Sequence, residues 1–276
     1  MNGLNKIAVA AIMIFAGCAP QMQKPVQNCP GWKSMSEALA AGRVRSRDVL
    51  PVKASGDCHL RYYAEGKKYD ENFPVKVWIN PPDKIYLQGD VAFNPKGVIL
   101  GSNENEFWLS VRLKEVDSYW WGRWDEQDGG EMFAINPKML LEAIGITDIG
   151  DEQSWSLSNE AGLSVLTERN GQNSIIKKIY VSNCAFLISR IEYFDANGRA
   201  AVVVEVNNYE KVSDNFSVPT SIKISHQPEK KSEDWASVTL NLKSVKGANL
   251  TEEQRRILFT RPEPEGFKHV YKISER

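Results

Sequence analysis

Between Val75 and Trp124 the side chains change character at every second residue, and that period of two constrains the fold more than any other feature. Val75, Val77 and Ile79 alternate with Lys76, Trp78 and Asn80, and Ile85 and Leu87 alternate with Tyr86 and Gln88. Successive strand residues point to opposite faces, so each run has one apolar face and one mixed face. Turn signals cut the runs at Asn80-Pro81-Pro82-Asp83, Asn94-Pro95-Lys96-Gly97 and Ser102-Asn103-Glu104-Asn105, as in an antiparallel meander. The apolar face has to be covered, either by a filled core or by the contents of a cavity.

The pattern continues in the second half. Strands are expected at 155–158, 163–169, 175–181, 186–194, 200–209, 216–225 and 236–245, with hairpin signals at Asn170-Gly171 and Asn197-Gly198. An earlier strand spans 50–63, with Gly56 as a bulge, and the charged segment 65–72 reads as a loop. Helical spacing occurs twice. Ser34 or Ser36 caps a segment over 35–41 that stops by Gly42 or soon after, with Met35, Leu39 and Ala40 as its apolar face. Asn136-Pro137 opens a helix over 137–144, with Met139, Leu140, Ala143 and Ile144 as its stripe and Gly145 as its stop. A helical turn is expected at 251–256, ended by Pro262, Pro264 and Gly266.

A net charge of −1 over 276 residues gives no general attraction to nucleic acid. No GxSxG, HExxH or Gly-rich phosphate loop is present, so neither an enzyme nor a cofactor or metal site is expected. The acidic residues Asp125, Glu126 and Asp128 read as a solvated turn, and Asp195 to Gly198 as a hairpin rather than a calcium loop.

The first eighteen residues read as a targeting segment: Lys6, then the apolar run IAVAAIMIF, then Ala16-Gly17 before Cys18. The segment resembles a bacterial lipoprotein signal, which implies lipidation at Cys18 and anchoring by acyl chains, with Ala19 pointing to the outer membrane and its periplasmic side. Residues 19–32 form a Pro-containing tether, and 33–273 a single domain. Cys29, Cys58 and Cys184 allow one disulfide and leave one thiol; their spacing does not choose the pair.

The order of PPDKIYL, NEFWLSV, the helix after Asn136-Pro137, FDANGR and LFTRPEPEGF resembles the lipoprotein carrier and receptor superfamily of the bacterial Lol pathway. The resemblance implies a mainly β chain: a strongly curved antiparallel sheet, an unclosed half-barrel, with helices over its open face and a cavity for acyl chains. The expected ligand is a lipid or an acylated lipoprotein. By alternation the groove-facing residues are Val77, Ile79, Ile85, Leu87, Phe107, Leu109, Val111, Ile191, Tyr193, Ile222, Ile224, Val238 and Leu240. Tyr119, Trp120, Trp121 and Trp124 read as an aromatic rim or as an interface for an envelope protein partner. The alternative function is therefore a structural or accessory lipoprotein whose trough is filled.

Overall fold

The computed structural model describes residues 29–64, 66–92, 94–114, 116–126, 136–146, 152–227 and 235–273. In chain order the described elements are α1 (Met35–Asp48), β1 (Val52–Ala64), β2 (Lys67–Asn80), β3 (Lys84–Val91), β4 (Asn94–Ser102), β5 (Glu106–Arg112) and β6 (Asp117–Arg123). Then come α2 (Pro137–Ala143), β7 (Trp155–Glu160), β8 (Leu163–Arg169), β9 (Ile175–Ser182), β10 (Ile188–Phe194), β11 (Ala200–Lys211), β12 (Ser217–His226), β13 (Trp235–Gly247), α3 (Glu252–Phe259) and β14 (His269–Ile273). All fourteen strands belong to one sheet, in the order β14-β6-β5-β4-β3-β2-β1-β13-β12-β11-β10-β9-β8-β7.

Strand β1 joins the two meanders. It pairs with β2 on one side and β13 on the other, and its register slips between Ser55 and Gly56, the expected bulge. The sheet does not close into a barrel: β14 and β7 are its free edges. Strong curvature nonetheless brings its halves together, because α2 packs against β4 and against β10, β11 and β12 from the far side of β1. The helix lies inside the trough.

Several boundaries differ from the expectation. The segment 67–72 is strand rather than loop, because the β1–β2 ladder continues to Ala64↔Lys67 and the Tyr62 and Tyr69 rings stack at 4.8 Å across it. The turn placed at Asn94 to Gly97 comes earlier, since Asn94 already pairs with Val91. The Asp90 carboxylate accepts from the Lys96 N–H at 3.0 Å and shapes the irregular start of β4. Helix α1 runs through Gly42 to Asp48; Arg45 and Arg47 suit its C-terminal end, and Arg45 donates to the Phe186 carbonyl at 2.9 Å. Its fully buried face is Ala38 and Leu39, while Ala40 is exposed.

The sheet is also not wholly antiparallel. Strand β14 was not anticipated, and it lies parallel to β6 with Tyr271 opposite Trp120. Helix α3 is longer than the expected turn, its start fixed by a capping box between Thr251 and Gln254. Rather than covering the trough, α3 packs on β3, and the segment after it lies against the outer, convex face. There Tyr119 donates to the Pro262 carbonyl at 2.7 Å and Arg261 reaches Glu106 at 2.8 Å.

Candidate functional site: an apolar trough roofed by one helix

Register fixes which side chains face the trough. The pairs Val77↔Leu87, Leu87↔Leu100, Leu100↔Leu109 and Leu109↔Trp120 run across β2 to β6 on its concave side. Cys58↔Leu240 and Leu60↔Val238 extend that face across β1 to β13. Gly89 belongs to the same face, and the Phe73 ring lies 2.4 Å from where a Cβ on Gly89 would stand. A side chain at 89 would displace Phe73 into the space above.

That space is a cavity of about 240 Å³. Its floor is formed by Cys58, Leu60, Phe73, Leu87, Val98 and Leu100; Leu109, Val111, Leu113, Val116 and Trp120 form one wall; Tyr62, Ala236, Val238 and Leu240 form the other. Leu140, from α2, is its roof. Leu87, Leu100, Leu140 and Leu240 are buried, whereas Leu60, Tyr62, Leu109, Val116 and Trp120 are only half-buried. The cavity therefore meets solvent at the end marked by the second group. A second, small hollow of about 20 Å³ continues the trough the other way, lined by Val77, Ile79, Ile85, Leu140, Ile222 and Leu240 among others.

Of the groove residues expected from alternation, Leu87, Leu109, Val111, Val238 and Leu240 line the large cavity, and Val77, Ile79, Ile85 and Ile222 the small hollow. Four line neither. Ile191 and Ile224 are fully enclosed in the core, and Phe107, although on the concave side, is buried beneath Trp124 with ring centroids 4.6 Å apart. Tyr193 is turned to a carboxylate instead. Missing from the expectation were ten residues that line the large cavity, among them Cys58, Leu60, Tyr62, Val98, Leu100 and Leu140. Alternation is visible for Cys58, Leu60 and Tyr62, whereas Val98 and Leu100 sit in an unbroken apolar run and Leu140 on a helix, and the level of each along the trough depends on packing across the sheet.

The aromatic segment does not form one patch. Trp120 faces the cavity and stacks on Tyr271 at 5.8 Å. Tyr119, its neighbour, is fully buried on the opposite face beside Phe267, so it is not a surface contact. Trp121 shares that outer face, with the Arg261 guanidinium 4.2 Å above its ring. Trp124 donates to the Asn103 carbonyl at 2.8 Å. Alternation along β6 alone sends Trp120 and Trp121 to different sides.

The roof is anchored by charge. Asn136 caps α2 by accepting from the Lys138 N–H at 2.8 Å, and Gly145 ends it with φ of 93°. Every residue from Pro137 to Ala143 except Lys138 is buried, Glu142 included. The Glu142 carboxylate accepts from Lys177 Nζ at 3.0 Å and from the Tyr193 hydroxyl, and Lys177 also reaches Glu168 at 2.9 Å. Burial acts to lower the Lys177 pKa, but Glu142 and Glu168 outweigh it and the net shift is upward. Burial first, and then Glu142, push the Tyr193 hydroxyl well above its ordinary value. The cavity-lining Cys58 is different: burial alone raises its thiol to about 12.

Cys29 and Cys184 form the disulfide, and Cys58 is the free, buried thiol. The bond ties the start of the described chain to the β9–β10 connection, next to the Trp32 and Phe186 rings, which meet in a tilted pair with centroids 5.3 Å apart. Cys18 and Asp128 lie outside the described residues. Asp125 is exposed and paired with Arg123, and among the described residues no group of His, Cys, Asp and Glu is placed to hold a metal ion.

No family model and no curated protein matches the chain by sequence. Solved structures do match it by shape. A domain from Vibrio parahaemolyticus, described as an outer membrane lipoprotein-sorting protein, is similar with a TM-score of 0.54 at 10% identity, over 82% of this chain and 98% of that one. The chain has the LolA/LolB-like fold. A LolA superfamily protein from Nitrosomonas europaea is similar with a TM-score of 0.50 at 12% identity, over 83% of this chain and 98% of that one. A DUF1329 family protein from Desulfovibrio piger also gives 0.50, at 10% identity over 80% and 96%. At these identities the likeness concerns the fold; the trough of this LolA-like chain has its own residues.

Proposed function

We propose that this protein is a non-catalytic envelope lipoprotein that holds an acyl chain, of a lipid or of an acylated lipoprotein, in the trough beneath α2. The observation that carries the reading is the cavity of about 240 Å³, lined by aliphatic and aromatic side chains with a neutral thiol at its floor. An apolar cavity of about 150 Å³ takes up benzene, so this one has room for about ten carbon atoms. At about 0.8 kcal/mol per methylene, their burial contributes about 8 kcal/mol before the cost of association. Such a site needs no charged contact.

The lipobox at Cys18 supports anchoring, and the Cys29–Cys184 bond suits an oxidising compartment such as the periplasm. A trough filled by its own side chains, with the aromatics serving as a docking face, is less well supported, since Tyr119 is buried and Trp120 points into the cavity. Uptake of a fluorescent fatty acid by the full chain tests the reading. Leu109→Glu puts a carboxylate at a half-buried wall position, where folding tolerates it better than at buried Leu87, and it abolishes uptake. Equal uptake by Leu109→Glu would remove the trough as the binding site.

A further inference from the structure

Leu140 and Leu240 line both hollows, but Leu240 is part of the sheet wall whereas Leu140 comes from the helical roof. Beneath Leu140 the floor continues without a step. Val77 of the small hollow is the register partner of Leu87 of the large cavity, and along β13 Leu240 stands between Val238 of the large cavity and Leu242 of the small hollow.

We propose that Leu140 is the stop that sets the length of chain the trough accepts. The proposal rests on the acyl-chain reading above and adds a limit to it. A chain entering past Leu60, Tyr62 and Val116 runs inward until its terminal methyl meets Leu140, after about ten carbons. A stop has to be held still, and Leu140 is two residues from Glu142, whose buried carboxylate is tied to Lys177 at 3.0 Å and to Tyr193. The small hollow behind it, about 20 Å³, is too small to hold more than a fragment of chain unless Leu140 is removed.

The test is native mass spectrometry of the full chain offered a graded equimolar series of straight-chain alkan-1-ols. Each methylene buried tightens binding about fourfold, so wild-type occupancy rises by that factor per carbon and levels off at about ten carbons. Leu140→Ala joins the hollows and moves the plateau outward by about three carbons, the number deleted from the side chain. Leu140→Val, gentler on folding, moves it by about one. Ile144 lines the small hollow and not the large cavity, so Ile144→Ala widens only the former and leaves the wild-type limit in place. A plateau unmoved in folded Leu140→Ala and Leu140→Val, or moved equally by Ile144→Ala, overturns the stop while leaving the acyl-chain reading intact. Failure of wild type to bind any alcohol overturns both.

Discussion

Lys177 Nζ and Glu142 Oε1, from residues 35 apart in sequence, meet at 3.0 Å between the sheet and the helix that roofs the trough. The Glu142 side chain is 1% exposed and that of Lys177 10%, so neither charge has water as an alternative partner. Removing Lys177 leaves the Glu142 carboxylate buried without its cation, which costs about 3–5 kcal/mol, whereas removing Glu142 leaves Lys177 still paired with Glu168 at 2.9 Å and costs less. Urea unfolding of Lys177→Met is therefore expected to show a loss of that size and Glu142→Gln a smaller one, with part of the Lys177→Met loss recovered in Glu142→Leu/Lys177→Met, where the part-exposed Glu168 is the carboxylate left over. Because Lys177 is raised in the folded state, its contribution is complete below the ordinary lysine value of about 10.4 and fades as the pH rises through the folded value. The double variant lacks that alkaline decline.

The Cys58 thiol, pushed up to about 12 by burial, is about one ten-thousandth ionised at about pH 8, against about a quarter for a free thiol. Alkylation of the native protein by iodoacetamide is expected to be slower than that of the urea-unfolded chain by about three orders of magnitude. The sign is the same as for Lys177: stability is complete below about 8.5 and is lost as the pH rises towards 12, and Cys58→Ala removes this part of the decline. Rapid native alkylation would show that the floor of the trough is open to water.

Cys29 and Cys184 are 155 residues apart, so their bond restrains a long loop of the unfolded chain. Its loss in Cys29→Ser/Cys184→Ser is expected to cost about 2–5 kcal/mol, read as a lower thermal midpoint that reductant no longer shifts. Fatty-acid uptake is expected to persist in this variant at temperatures where it is folded, because neither cysteine lines the trough.

The aromatic segment is expected to divide in function as it does in space. Trp120→Ala enlarges and opens the cavity wall and changes fatty-acid affinity; Trp121→Ala, on the outer face under Arg261, leaves affinity unchanged. Binding isotherms of the two folded variants check this. Equal effects would mean that the trough does not end at the wall formed by β6.

Much of the sheet was legible because alternation and turn residues are local properties. The strands from 155 to 245 fell within a few residues of their positions, and Asn136-Pro137 marked α2 correctly. Strand β14 was not legible: HVYKI is short, follows a Pro- and Gly-containing segment, and is held by its parallel pairing with β6, which no local pattern announces. The trough was half legible. Alternation separates Leu109 from Trp108, but only cross-strand register puts Leu87 in the large cavity and its partner Val77 in the small one. Leu140 read as one member of a packing stripe, and Glu142 offered no sign of the lysine that it meets across the trough.

The central claim is that the trough holds an acyl chain, and the contents of the protein as the cell makes it test that claim most directly. Native mass spectrometry of the full chain extracted from membranes is predicted to show a bound, acyl-bearing mass that is absent from Leu109→Glu purified in the same way. A wild-type protein that emerges empty, and stays empty when offered fatty acid, would contradict the account.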